Sequence, residues 1–292
     1  MRIALVGYGY WGPHYARIIN ELVDTKLVAI CDTDQCQRTR ARNDHPGVPV
    51  FSTLFDEQNI DAVIIATPAS THYELALQYL AEGKHVLLEK PMALNFMDCE
   101  RLKHFAKRDK RVLAVGHTFL YNGGIHRLKK GMRNTKLFGK TIYLHSTRTN
   151  AGPVRTDVDV LMDQAPHDVS IFNFLLDAQP LGVSAVGSND VAFITLNYPG
   201  DILANIHVSW SDPNKVREVV AVGTGRRIVY DDLNPGPIAY TEPLKSQLLD
   251  FLRAAVEGNQ PLSDGIVGAN VVSVLAAARA SMQAGGAPQG IS

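Results

Sequence analysis

Residues 1–17 constrain this chain more than any other stretch. Ile3, Ala4, Leu5 and Val6 form an unbroken apolar run, which suits a strand buried on both faces. The run stops at Gly7-Tyr8-Gly9-Tyr10-Trp11-Gly12, a G-x-G-x-x-G pattern, and Pro13 follows where a first helical turn tolerates it. Gly7 permits a tight turn, Gly9 lets backbone approach a pyrophosphate, and Gly12 lets helix lie close on strand. The N–H groups and positive end of that helix attract phosphates. Glycine turns alone are common. Here an amphipathic segment follows (Tyr15, Ile18, Ile19, Leu22), and Asp32 ends a second apolar run, about 20 residues past the last glycine, where a ribose 2′-hydroxyl is held. The pattern predicts a dinucleotide site. Tyr10 and Trp11 stand at its edge, where packing explains aromatic rings as readily as a ligand does.

Strand and helix signals alternate to about residue 118. Asp34 is placed to cap a polar helix through Ala41, residues 48–51 read as a short extended piece, and 61–66 as a buried strand ending at Thr67-Pro68. Thr71 and Glu74 have capping-box spacing ahead of a helix that Gly83 is placed to end. Residues 85–89 and 111–116 give two more strands, with a helix capped by Asn95 between them. This is an α/β pattern. It predicts a doubly wound parallel sheet, a Rossmann domain over residues 1–120. Residues 121–292 read as an α+β domain with an open, mostly antiparallel sheet. Ile202, Ala204, Ile206 and Val208 alternate with Leu203, Asn205, His207 and Ser209, and residues 216–230 read as a hairpin. Helices at 244–257 and 266–282 are placed to cover one face of that sheet, and the tail after Gly285 reads as loose.

Composition narrows the partners. Lys plus Arg and Asp plus Glu number 29 each, so no basic excess attracts nucleic acid or an anionic membrane. No apolar run approaches the ~20 residues that cross a bilayer, and the N-terminus enters the first strand directly. The expectation is a cytoplasmic protein. The three cysteines, Cys31, Cys36 and Cys99, lack metal-ligand spacing and suit a reducing compartment, and the histidines are scattered, so no metal is expected.

Two clusters can carry chemistry. Glu89-Lys90-Pro91 ends a strand at the carboxyl edge of the sheet, where open α/β sheets bind ligands. A lysine there can hydrogen-bond a substrate oxygen and favour a developing alkoxide, although a solvated Glu-Lys pair explains most such sequences. Asp163 and His167 are four residues apart, which on one helical turn places them on one face. A carboxylate beside an imidazole fixes its tautomer and raises its basicity. A capping cluster at a helix start is the plainer explanation, and Asp168 reads as a cap at most.

The Gly7/Gly9/Gly12 turn, Thr67-Pro68, Glu89-Lys90-Pro91 and the Asp163-x-x-x-His167 pair resemble the Gfo/Idh/MocA oxidoreductase family over nearly the whole chain. The resemblance implies NAD(H) or NADP(H) as redox partner. It implies a site where Lys90, Asp163 and His167 meet a secondary alcohol or ketone, with Thr67, Pro68, His72 and Glu89 near the cofactor. Ala165-Pro166-His167-Asp168 is similar to members acting on sugar nucleotides and deoxysugars, including 3-dehydrogenases and ketoreductases. Met162 stands where those relatives commonly carry Trp. Softer substrate candidates are His117, Tyr121 and Asn122, and then Arg148, Asn150 and Arg155, since arginine offers a bidentate fork to phosphate or carboxylate.

Together these features predict hydride transfer between nicotinamide and a secondary alcohol or ketone of a sugar, sugar nucleotide or cyclitol. Asp32 favours NAD(H), because a carboxylate repels a 2′-phosphate, while Arg38 and Arg40 leave NADP(H) open. Which of Lys90 and His167 moves the proton stays open too. Reduction of a C=N or C=C bond on the same fold, and nucleotide sensing without turnover, are the rival readings. The open sheet predicts a homo-dimer or homo-tetramer.

Overall fold

The computed structural model describes residues 1–53, 59–152, 154–236 and 242–291, and they fall into two units, 1–116 with 244–268 and 117–243 with 269–292. In the first unit β1 (Arg2–Val6), β2 (Lys26–Cys31), β3 (Val50–Phe51), β4 (Ala62–Ile65), β5 (His85–Leu88) and β6 (Leu113–Val115) form a parallel sheet in the order β3-β2-β1-β4-β5-β6. Ile3, Ala4 and Leu5 of β1 have no solvent exposure, as a strand covered on both faces must. The strand order reverses beside β1, and ligands bind at the carboxyl ends of strands at such a switch.

The crossover helices are α1 (Gly12–Glu21), α2 (Gln35–Asp44), α3 (His72–Ala81) and α4 (Phe96–Arg108). Asp34 and Asn95 cap α2 and α4 through their side chains, accepting from Cys36 N at 2.7 Å and Asp98 N at 2.9 Å. Thr71 does not cap α3 in this way. Its Oγ1 donates instead to Pro68 O and meets Thr67 Oγ1, both at 2.7 Å, so the hydroxyl holds the Thr67-Pro68 turn.

The helix Pro243–Glu257 corrects one expectation. Leu244, Leu248, Phe251 and Leu252 join the apolar cluster of Leu5, Tyr15 and Ile18 in this first unit, and buried Gln247 donates from Nε2 to Val115 O at 2.7 Å. An apolar stripe on a helix fixes that a sheet must cover it but not which sheet.

In the second unit β7 (Thr141–Ala151), β8 (Gly182–Gly187), β9 (Val191–Tyr198), β10 (Ile202–Ser209), β11 (Ser211–Gly223), β12 (Arg227–Asp231) and β13 (Gln289–Gly290) run in the order β12-β11-β7-β10-β9-β8-β13. β7 and β10 are parallel and the other pairs antiparallel. The tail after Gly285 is therefore partly ordered, through β13 on β8. Helices α5 (Gly123–Arg133), α6 (Thr135–Phe138), α7 (Val160–Asp163) and α8 (Ala165–Leu176) precede most of these strands. Ile125, Leu128, Ile171 and Phe172 pack with Leu144, Ile194 and Ile206, closing one sheet face.

The helix Gly265–Gln283 is 19 residues long with mean hydropathy 1.4, enough by length and composition to span a bilayer, against the expectation of no such run. Its Val271, Val274, Leu275 and Ala278 lie in the core of the second unit, which explains the composition.

Candidate active site

At Gly7 and Gly12 the turn is built by close approaches that no other residue allows. Gly7 has φ +94° and a Cβ there would stand 2.5 Å from Ala66 O, while a Cβ on Gly12 would collide with Gly7 O. A Cβ on Gly9 would meet nothing within 4 Å, so the backbone at Gly9 faces open space, as a pyrophosphate cradle requires. Asp32 follows β2. Its Oδ2 accepts from Tyr8 N inside the turn at 2.7 Å and its Oδ1 from Asp34 N at 2.8 Å. The acid predicted to hold a ribose therefore also ties the second strand to the turn. These residues fit a dinucleotide. Tyr10 and Trp11 are exposed beside the turn, meet each other edge-on, and both make tilted ring contacts with His14, which the sequence reading missed.

Arg38 and Arg40 are engaged elsewhere. Arg38 donates from Nη1 to Asp32 O at 2.9 Å and Thr33 O at 2.7 Å, and its Nη2 reaches Gln35. Arg40 faces Asp44 at 3.5 Å and lies 5.8 Å from the centre of the Tyr8 ring.

Two other predicted segments of the first unit are joined by buried His72. Its Nδ1 lies 2.7 Å from Pro91 O and its Nε2 3.0 Å from Thr67 O, so one imidazole spans the Thr67-Pro68 turn and the Glu89-Lys90-Pro91 segment. Glu89 is buried and accepts from the Tyr15 hydroxyl at 2.8 Å. A Cβ on Gly116 would stand 2.9 Å from Glu89 Oε2, so that glycine clears room for the carboxylate. Burial, with the Glu89 charge, pushes the Tyr15 hydroxyl far above its ordinary range, and it stays a donor. Lys90 is half-buried and its peptide bond to Pro91 is cis.

In the second unit Asp163 and His167 lie on successive helices, not one. Asp163 ends α7, Gln164 intervenes, and His167 stands in the first turn of α8. Asp163 Oδ2 accepts from Trp210 Nε1 and Gln164 Nε2, both at 3.3 Å, and Arg155 Nη1 lies 3.6 Å from Oδ1. Arg155 also forks onto Asp157 at 2.9 and 2.8 Å. Capping falls to Asp159, whose Oδ1 accepts from Met162 N at 3.0 Å and whose Oδ2 pairs with Arg279 at 2.8 Å. Met162 is core.

His167 meets the Phe119 ring edge-on at 5.1 Å between centroids. Asp168 is no cap. It is buried and takes both Arg148 donors, Nε at 2.8 Å and Nη2 at 3.1 Å. The fork that the sequence offers to a ligand at Arg148 is thus occupied by the chain itself. His117 is buried, Tyr121 half-buried, and Asn122 caps α5 by accepting from Gly124 N at 2.8 Å. Asn150 Oδ1 accepts weakly from Gln164 at 3.4 Å. The Trp210 contact had a signal in the sequence, an aromatic next in register after the alternation of β10. The Tyr15, Phe119 and Asp168 contacts had none, because they join residues far apart in sequence.

Comparison with known proteins identifies both parts of the chain. Residues 1–117 match an oxidoreductase family with an NAD-binding Rossmann fold, and residues 134–229 match the GFO/IDH/MocA C-terminal domain. A UDP-N-acetylglucosamine 3-dehydrogenase from Acidithiobacillus ferrooxidans is 27% identical over 315 aligned positions, covering 97% of this chain and 98% of the relative. Its solved structure superimposes with a TM-score of 0.86 at 26% identity, over 97% of this chain and 98% of that one. A 2,7-anhydro-N-acetylneuraminate hydratase from Mediterraneibacter gnavus is 27% identical over 195 residues, 64% of this chain and 52% of the relative, so the chain spans about half its length. The WlbA dehydrogenase from Bordetella pertussis, solved with NADH and UDP-GlcNAcA, covers 100% of this chain and 99% of its own with a TM-score of 0.89, and at 22% identity shares the fold.

Proposed function

Because the chain belongs to the Gfo/Idh/MocA oxidoreductase family, we propose that it moves hydride between NAD(H) and a secondary hydroxyl, or the ketone, of a sugar, sugar nucleotide or cyclitol. The observation that carries this reading is the glycine turn with Asp32 bound into it, ahead of the strand that ends in Glu89-Lys90-Pro91. The nicotinamide, when bound, supplies the hydride chemistry.

The chain supplies binding and proton handling. In the oxidative direction His167, oriented by Asp163, takes the hydroxyl proton onto a ring nitrogen, and the Lys90 ammonium stabilises the alkoxide that forms. Thr67, Pro68, His72 and Glu89 border the cofactor, and His117, Tyr121 and Asn122 contribute to the sugar pocket. Asp32 favours NAD(H) over NADP(H), and Arg38 would have to leave two backbone carbonyls to meet a 2′-phosphate. The relative that matches this chain nearly end to end is named for UDP-N-acetylglucosamine, which makes a sugar nucleotide the first substrate to try.

The reading places the enzyme in the cytoplasm, as a homo-dimer or homo-tetramer joined through the uncovered face of the second sheet. Tyr143 stands opposite Leu203, and Phe193 stacks on His207 at 4.4 Å across β9 and β10. UDP-N-acetylglucosamine, myo-inositol and a panel of free sugars, each with NAD and with NADP, test the function by the absorbance of reduced nicotinamide. Absence of any reduced cofactor, with the reverse reaction on the matching ketones equally silent, would refute it.

A further inference from the structure

We propose that buried Arg148 and Asp168, with half-buried Phe119 against them, form a positioning unit that sets the orientation of the His167 ring. The inference rests on the reading of His167 as the proton-transfer residue, and extends it to residues that touch no substrate.

Arg148 points into the core from β7, and Asp168 points inward from the first turn of α8, one residue after His167. They are 4% and 1% exposed. Nε to Oδ2 is 2.8 Å and Nη2 to Oδ1 is 3.1 Å, the paired geometry in which a guanidinium and a carboxylate lock each other in plane. Burial alone would oppose the charge on Arg148. The Asp168 carboxylate, helped by Asp232 and Tyr230, more than offsets that and holds the guanidinium firmly protonated. Stability does not explain such a pair, since apolar residues of the same volume often serve a core as well or better. Orientation does explain it. Successive helical residues point about 100° apart, so anchoring Asp168 fixes the rotation of the first turn of α8 and with it the direction of His167.

Phe119 adds a second constraint. The Arg148 guanidinium carbon lies 4.5 Å from the centre of its ring, and the same ring meets the imidazole of His167 at 5.1 Å and 68°. A fixed cation thus holds an aromatic ring, and that ring limits the tilt of the imidazole. Ser170 Oγ, donating to His167 O at 2.8 Å, steadies the backbone of the same turn.

The test uses the full-length protein, in wild-type form and as Phe119→Leu, Phe119→Tyr, Asp168→Asn and His167→Ala. The readouts are thermal unfolding, kcat and KM on the substrate found by the screen above, and the His167 Cε1–Hε1 resonance, assigned by its loss in His167→Ala. Phe119→Leu is expected to shift that resonance and lower kcat about 10-fold or more while KM moves less than about 3-fold, as a misplaced proton acceptor would. Phe119→Tyr, which keeps the ring, is expected to restore both readouts. Asp168→Asn is expected to act like Phe119→Leu, and if it fails to fold, the Phe119 pair decides. Loss of turnover in His167→Ala, with the resonance and kcat unchanged in Phe119→Leu, overturns the positioning unit alone. Undiminished turnover in His167→Ala overturns the catalytic reading itself, while the resonance still reports whether Phe119 and Asp168 set the ring.

Discussion

The Tyr15 hydroxyl donates to Glu89 Oε1 across 2.8 Å inside the first unit, tying the helix that follows the glycine turn to the segment that carries Lys90. Both partners are buried, so removing the donor leaves a carboxylate oxygen without its bond. Tyr15→Phe is expected to destabilise the protein by about 1.5–3 kcal/mol, the range for a hydrogen bond to a charged group. Urea unfolding of the two proteins measures it, and equal midpoints and slopes would show that the bond contributes nothing.

Acid sensitivity should begin with His85. Burial, with the Arg111 charge beside it, lowers its pKa below the ordinary value, against a smaller opposing pull from Asp61. The geometry agrees, because Nδ1 accepts from Val112 N at 3.1 Å and a proton there would break that bond. The unfolded chain binds this proton more readily than the folded one. The His85 contribution is therefore complete above the unfolded pKa of about 6.5 and declines as pH falls below it. Thermal midpoints for wild type should drop between about pH 7 and pH 5, and His85→Gln, which keeps an acceptor but cannot be charged, should drop less. Parallel curves would contradict this.

Asp32 should govern the choice of cofactor. Its carboxylate already accepts two backbone N–H groups, which holds both oxygens in place for a ribose hydroxyl. Asp32→Ser is expected to weaken NAD(H) about 10-fold, through loss of a charge-assisted hydrogen bond, and to narrow the gap to NADP(H) by removing the repulsion of a 2′-phosphate. Titration by tryptophan fluorescence reads both, since Trp11 stands exposed beside the turn. Tighter NADP(H) than NAD(H) binding by the unaltered protein would reverse the assignment.

Most of the first unit could be read from sequence because its signals are local. A strand covered on both faces needs a continuous apolar run, as in Ile3–Leu5, and helix starts announce themselves through Asp34 and Asn95. Cap chemistry failed at Thr71, where a nearby carbonyl at Pro68 outcompeted the helix N–H groups. The partner of an apolar helix face was not legible either, as the residues at 244–252 show. In the second unit four-residue spacing did not guarantee one helix, since Gln164 separates Asp163 from His167. Asp168 looked like one more acid near a helix start, and only the fold brings Arg148 to it.

The uncovered sheet face should mediate self-association. Leu203 is 51%, Phe193 46% and Tyr143 42% exposed, on strands whose opposite faces are core. Leu203→Glu places a charge at the centre of this patch, opposite Tyr143, and should convert an oligomer to monomer without unfolding it. Light scattering gives the mass directly. A monomeric mass for the unaltered protein would remove this assignment.

Lys90 should separate turnover from cofactor binding. An ammonium aimed at an oxygen that gains charge only during the reaction stabilises the transition state more than the ground state, so its loss lowers kcat rather than affinity for the dinucleotide. The glycine turn and Asp32 hold the pyrophosphate and ribose without it, and no contact between Lys90 and the turn is needed for that. Lys90→Met, which keeps length and removes charge, is expected to cut kcat by about 100-fold or more while the NADH dissociation constant changes by less than about 3-fold. Steady-state rates and an NADH fluorescence titration on the same preparation give the two numbers. Near-normal kcat would take Lys90 out of the chemistry, and a parallel fall in NADH affinity would make it a cofactor-binding residue instead.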